Sequence, residues 1–170
     1  MDVDFSHPLN SEILRYLRNP FDFIVGPKAA VFREARERDL AAGRVLTSQS
    51  PESINWLNLG THPDLVERLW REIAVSLPEP CQWVVYGSPA LVHPRTGVVF
   101  GWAGGTHTYG LRISEPERGH ALAAGARTTF KYANGDSIDV RRIGNDWVLG
   151  NWIAAESEWC VRAYEGAGKS

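Results

Sequence analysis

The distribution of glycine is the strongest constraint on this chain: three glycines (Gly26, Gly43, Gly60) stand in residues 1–80 and thirteen in residues 81–170. Glycine supplies the positive φ angles of tight turns and weakens helix interiors, so the chain changes class near residue 80. Before that point the apolar spacing is helical. Ile13, Leu14 and Leu17 share one face of a short helix that Asn10 caps and Asn19-Pro20 stops. A second helix spans 28–42 and ends at Gly43. Ser50-Pro51 opens a short helix through Ile54 and Leu57, and Gly60 ends it. His62 and Pro63 then begin the clearest stripe, Leu65, Val66, Leu69, Trp70, Ile73 and Leu77, which Pro78 and Pro80 terminate.

From Cys81 the period falls to two. Gln82–Tyr86 reads as a strand closed by Gly87-Ser88-Pro89, and a meander follows. Pro94–Gly97 fits a loop that pairs His93 with Val98 and Leu91 with Phe100. Gly104-Gly105 fits a two-residue turn that pairs Trp102 with His107, Phe100 with Tyr109 and Val98 with Leu111. These registers put Leu91, Val98, Phe100, Trp102, His107, Tyr109 and Leu111 on one face and leave Gly101, Ala103, Thr106, Thr108 and Gly110 on the other. Ser114-x-x-Glu117 is a capping box for a helix to about Ala124. Asn134-Gly135 suits a hairpin turn between 128–132 and 137–140, Trp147–Leu149 is a further strand, and a last helix spans 154–164. The expected fold is α+β, with N-terminal helices packed on one face of a mainly antiparallel sheet of about five or six strands formed by the C-terminal half. All 170 residues are read as one domain, helical over 1–80, with a sheet part over 81–170 that carries one inserted helix and a C-terminal helix.

Charge narrows the partners. Residues 1–80 hold 9 basic and 12 acidic side chains and the rest hold 9 and 8, a balance too even to steer nucleic acid. No apolar run is long enough to span a membrane, and acid at Asp2 and Asp4 does not suit a signal peptide, so the expected location is cytoplasmic. Cys81 and Cys160 stand far apart without a CxxC or a neighbouring His cluster, which predicts two reduced, buried thiols and no metal or cofactor. In the expected register His93 and His107 lie four residues apart along the strands, about 14 Å, too far to share one ion.

The most distinctive segment is Gly101–Gly110, where a glycine turn, Thr hydroxyls, an imidazole and an indole could together hold an anion or a planar ligand. Candidate binding residues are Trp102, Thr106, His107, Thr108, Tyr109 and Arg112, with His107 the only catalytic candidate. The segment is not a phosphate loop, because it joins antiparallel strands and contains no lysine. No G-x-S-x-G elbow occurs, and Ser88 has no adjacent base. The mixed run Arg33–Asp39 reads as a solvated helix face. Seven Trp and an Arg excess of 15 to 3 over Lys, without a catalytic motif, favour a soluble non-catalytic interaction protein of adaptor, chaperone-like or immunity type. Its partner would be a protein, and a small-molecule ligand is the lesser possibility. The alternative is a small hydrolase or transferase with its site at the Trp102/His107 end of the central hairpin.

Overall fold

The computed structural model describes residues 1–55 and 59–170. It is an α+β structure built on a six-stranded antiparallel sheet in the order β1-β2-β3-β4-β5-β8. The strands are β1 (Ser48–Gln49), β2 (Gln82–Val85), β3 (Ser88–Val92), β4 (Val99–Gly104), β5 (Thr108–Arg112) and β8 (Trp147–Leu149). A separate two-stranded sheet pairs β6 (Thr129–Lys131) with β7 (Ser137–Asp139). The Asn134-Gly135 hairpin therefore forms as the turn chemistry requires, but it stands outside the main sheet. The sixth main strand is the short β1, which came from the helical half unannounced by any alternating pattern.

Five α-helices accompany the sheets among the described residues: α1 (Ser11–Arg18), α2 (Ala29–Ala41), α3 (Pro63–Glu67), α4 (Glu117–Ala123) and α5 (Glu156–Gly168). The stripe that begins at Pro63 does not continue as one α-helix, because a π-helical turn, Arg68–Glu72, follows α3 directly. The stripe still buries Leu65, Val66, Leu69, Trp70 and Ile73. Asn10 occupies the cap position of α1 without capping it; its amide instead donates to Asp4 and Gly97 carbonyls and accepts from the Val99 N–H. Ser114 likewise makes no side-chain cap, and the carboxylate of Glu115 accepts from the Gly119 N–H. After Ser50 the chain makes a 3-10 turn, Pro51–Ser53; the rest of the expected short helix, through Leu57, runs into residues outside those described.

Helices cover both faces of the main sheet, not one. On the first face α3, the π turn, α4 and α5 pack on Val84, Leu91, Val98, Phe100, Tyr109 and Leu111. On the second, α1 and the β6–β7 hairpin pack on Val85, Ala90, Val92, Val99, Trp102 and Leu149. The reason lies in β4, buried along Val99–Ala103 and therefore without an alternating polar side.

The central hairpin departs from the expected register. Val92 faces Val99, but Leu91 faces Gly101, so Phe100 is an extra residue and β4 carries a bulge. Beyond it Gly104 pairs with Thr108 and Ala103 with Tyr109, so Gly105, Thr106 and His107 form the loop. The bulge returns Leu91, Val98, Phe100, Tyr109 and Leu111 to one face but sends Trp102 to the other, opposite Gly110. The indole fits because Gly110 has no side chain: a Cβ there would lie 2.9 Å from the Val148 carbonyl oxygen and 3.2 Å from Trp102 Nε1. Gly110→Ala should therefore cost about 1–3 kcal/mol through overpacking against backbone. Gly166→Ala, in α5 with open space around it, should instead stabilise by up to about 1 kcal/mol. Urea unfolding of the two variants checks both signs, and equal effects would contradict this register.

Candidate functional site

A cavity of about 520 Å³ opens at the end of the second face, where three hairpin turns meet α1 and α2. Its size is that of a small-molecule site, typically about 300–1,000 Å³. The first turn is Tyr86-Gly87 between β2 and β3, with φ of 50° and 80°. A two-residue turn with positive φ at both positions suits the twist of the flanking strands, and Tyr86 holds a left-handed conformation unusual for a non-glycine residue. The second turn contributes Gly104, Gly105 and Thr108, and the third Tyr132, Asn134 and Asp136.

Aromatic rings form much of the wall. Tyr16 of α1 leans on Trp102 at 4.8 Å between centroids and meets Phe23 edge-on at 5.7 Å. Its side chain is held in place although only 3% of the residue is exposed, and its hydroxyl makes no hydrogen bond among the described residues. Burial, with Tyr132 adding a smaller effect, pushes the Tyr16 phenol well above its ordinary pKa, so it faces the cavity neutral. Phe21 and Phe32, both lining the cavity, meet at 5.2 Å with their ring planes tilted by 40°. The Tyr132 phenol, raised by burial, lies beside Thr108, whose Oγ1 donates to the Gly104 carbonyl at 3.2 Å.

Two arginines and one aspartate bring charge to the cavity. Arg36 of α2 donates from Nε to the Arg18 carbonyl at 2.8 Å and from Nη2 to the Leu17 and Tyr86 carbonyls at 3.2 and 2.8 Å. These bonds join α2, the end of α1 and the strained turn. Burial lowers the Arg36 pKa, yet no carboxylate pairs with it among the described residues. Arg44 is different: its Nε lies 2.9 Å from Asp39 and the side chain is exposed. Asp136 is buried, and its Oδ1 accepts from the Lys28 N–H at 2.9 Å.

The residues singled out from the sequence do not converge. Trp102 is fully buried behind Tyr16, and Tyr109 lies on the first face, where its hydroxyl donates to Glu156. Thr106 and His107 are exposed in the loop, and His107 stacks on Phe130 at 5.4 Å instead of on Trp102. Arg112 lies over Trp147 at 5.1 Å and donates to the Leu9 carbonyl, tying the N-terminal segment to the sheet. Only Thr108 of the six lines the cavity. The other lining groups come from segments up to 120 positions apart, from Tyr16 to Asp136, and no local motif joins them.

Two further polar groups are structural. Glu156, fully buried, accepts from Arg68 at 2.9 Å, from the Asn151 N–H at 2.7 Å and from Tyr109, whose hydroxyl accepts from the Trp152 N–H at 2.7 Å. This network fixes the loop before α5, where Trp152 holds a positive φ of 56°. His93 accepts at Nδ1 from the Arg95 N–H at 3.2 Å and stacks on Tyr164 at 4.7 Å. His7 and His62 accept N–H groups of Leu9 and Asp64 in the same way, as caps. Cys81 and Cys160 are free and buried, and burial pushes the Cys81 thiol up to about 12. No three His, Cys, Asp or Glu side chains gather in a metal-binding arrangement among the described residues.

Comparison with known proteins finds no matching family model, no matching curated protein and no matching solved structure, so the functional reading rests on this geometry.

Two outcomes follow from the buried polar groups. Glu156→Ala should destabilise by about 3 kcal/mol or more, because three donors lose their acceptor in a dry site. Burial and neighbouring Arg95 lower the pKa of His93. The unfolded chain then binds its proton first, so stability should fall as pH drops through about 6.5 and level off below the folded pKa. Urea midpoints between pH 8 and 4 should lose that step in His93→Asn, and an unchanged step would assign it to another group.

Proposed function

We propose that this is a non-catalytic binding protein that holds a small organic ligand in the cavity between α1, α2 and the three hairpin turns. The observation that carries the reading is the cavity itself, about 520 Å³ and walled by the rings of Tyr16, Phe21, Phe32 and Tyr132, where the Tyr16 hydroxyl makes no hydrogen bond to the protein among the described residues. A ligand seated against those rings buries apolar surface, and a polar atom placed at the Tyr16 hydroxyl gains a hydrogen bond there. The lining contains no His, Cys, Lys or Glu among the described residues, and its one carboxylate, Asp136, already accepts a backbone N–H. That set favours binding over acid–base or nucleophilic chemistry. The hydrolase or transferase alternative has weaker support, since Trp102 and His107 lie on different surfaces.

A second reading, in which the partner is a protein, is favoured by apolar exposure at the same mouth. Phe32 and Leu46 line the cavity while standing 41% and 57% exposed, and Val31 beside them is 62% exposed. A fragment screen by amide chemical-shift mapping separates the two. The small-ligand reading expects binders that move the amides of Tyr16, Tyr86, Thr108 and Asn134 and compete with one another. Tyr16→Phe should retain the unfolding midpoint while weakening the polar binders several-fold. Binders confined to Val31 and Leu46, with the interior amides unmoved, would overturn it in favour of a protein partner.

A further inference from the structure

Arg36 stands apart at the cavity wall, a partly buried cation without an ion-pair partner among the described residues. The charge run Arg33–Asp39 places its other members on the solvent side: Glu37 pairs with Arg18 at 3.1 Å and Asp39 with Arg44 at 2.9 Å. Arg36 alone in that run turns inward to the cavity wall. Three backbone carbonyls fix its guanidinium through Nε and Nη2, and Nη1 makes no hydrogen bond among the described residues. A cation whose orientation is already set meets an anion without further ordering cost.

We infer that the ligand of this cavity is a monoanionic, aromatic organic acid, its carboxylate directed to the Arg36 side and its ring seated among Tyr16, Phe21, Phe32 and Tyr132. This deepens the small-ligand reading and rests on it. Two features select the class. Of the two lining guanidinium groups Arg44 is paired with Asp39 and Arg36 has no ion-pair partner among the described residues, while the lining carboxylate Asp136 is engaged by the Lys28 N–H, so one ligand carboxylate meets the one unpaired lining cation. The rest of the wall is dominated by rings, which pack a planar apolar body better than a sugar or a polyol. The Tyr16 hydroxyl, kept protonated, donates to a carboxylate oxygen or to a ring substituent without adding charge.

The test uses the full chain and three naphthalene probes of nearly one shape: 2-naphthoate, the neutral 2-naphthamide and the dianionic 2-naphthyl phosphate. Calorimetric titration at pH 7.5 should give 2-naphthoate a Kd at least tenfold below that of 2-naphthamide, with 2-naphthyl phosphate no tighter than the acid. Raising salt from 50 to 500 mM should weaken the acid several-fold and leave the amide unchanged, because only the charged probe is screened. Arg36→Gln should remove the preference for acid over amide. Because Arg36 also ties three carbonyls, that variant is read only with native circular dichroism, and the salt series supplies the independent measurement if it does not fold. Equal affinities for acid and amide, both mapping to the cavity amides, would overturn the anion inference and leave the small-ligand reading standing. Tighter binding of the phosphate would overturn the monoanion assignment. If none of the three probes moves the cavity amides, the inference and the reading beneath it both fall.

Discussion

The bulge at Phe100 and Gly101 decides which parts of this molecule meet. β4 runs through the middle of the sheet with both sides buried, so each of its side chains belongs to one of two cores. One extra residue opposite Leu91 shifts the alternation, and Trp102 is carried from the α5 face to the α1 face. There it supports Tyr16, and Gly110 supplies the space for its indole. Without the shift, Trp102 would lie on the α5 face, and Tyr16 would lose the ring that it packs against. The floor of the cavity is thus a consequence of strand register before it is a matter of lining residues.

The cavity exists because the second face is covered unevenly. α1 buries Ile13, Leu14, Tyr16 and Leu17, each apolar side chain worth about 1.5–3 kcal/mol. α2 buries only Ala29 and is held against the neighbouring turn mainly by polar ties. Arg36 to the Leu17, Arg18 and Tyr86 carbonyls and Asn19 to the Arg33 carbonyl and Glu37 do what an apolar stripe does elsewhere. A helix anchored at its polar edge stands away from the sheet, and the space beneath it is not filled by its own side chains. Tyr86 adds to this: its left-handed φ is tolerated in a turn that the Arg36 guanidinium grips, an arrangement in which strain and binding wall coincide.

The sequence made the elements legible and the pairing between them less so. Helical stripes and glycine turns located α1, α2, β2, β3, β4 and β5 within a few residues, and the shift of class near residue 80 corresponds to the start of β2. Two kinds of information were missing. A bulge leaves no mark in an alternating pattern when both faces are apolar, so Gly104-Gly105 looked like a complete two-residue turn although the loop is Gly105, Thr106 and His107. Two consistent registers therefore agreed on the wrong partner for Trp102. The site was hidden for a different reason: of the six candidates only Thr108 lines it, because the local chemistry of Gly101–Gly110 drew attention to the loop while the cavity is assembled from distant turns. The tryptophans among the described residues likewise divide by position and not by sequence setting, with Trp147 fully buried beside a turn and Trp152 half exposed three residues beyond β8.

Arg36 shows how far a pattern of charge can be read. In a run of alternating acids and bases the average is a solvated face, and that average describes Arg33, Glu34 and Arg38 well. What separates Arg36 is not its type or its neighbours in sequence but the C-terminus of α1, whose open carbonyls attract a guanidinium from the next helix. Once drawn there, the side chain lies at the lip of a cavity it did not create, and its third nitrogen, Nη1, has no carbonyl left to meet. A stabilising contact between two helices thereby leaves a fixed positive edge facing an aromatic wall. The same bonds that hold α2 in place supply the orientation that an anion-binding site requires.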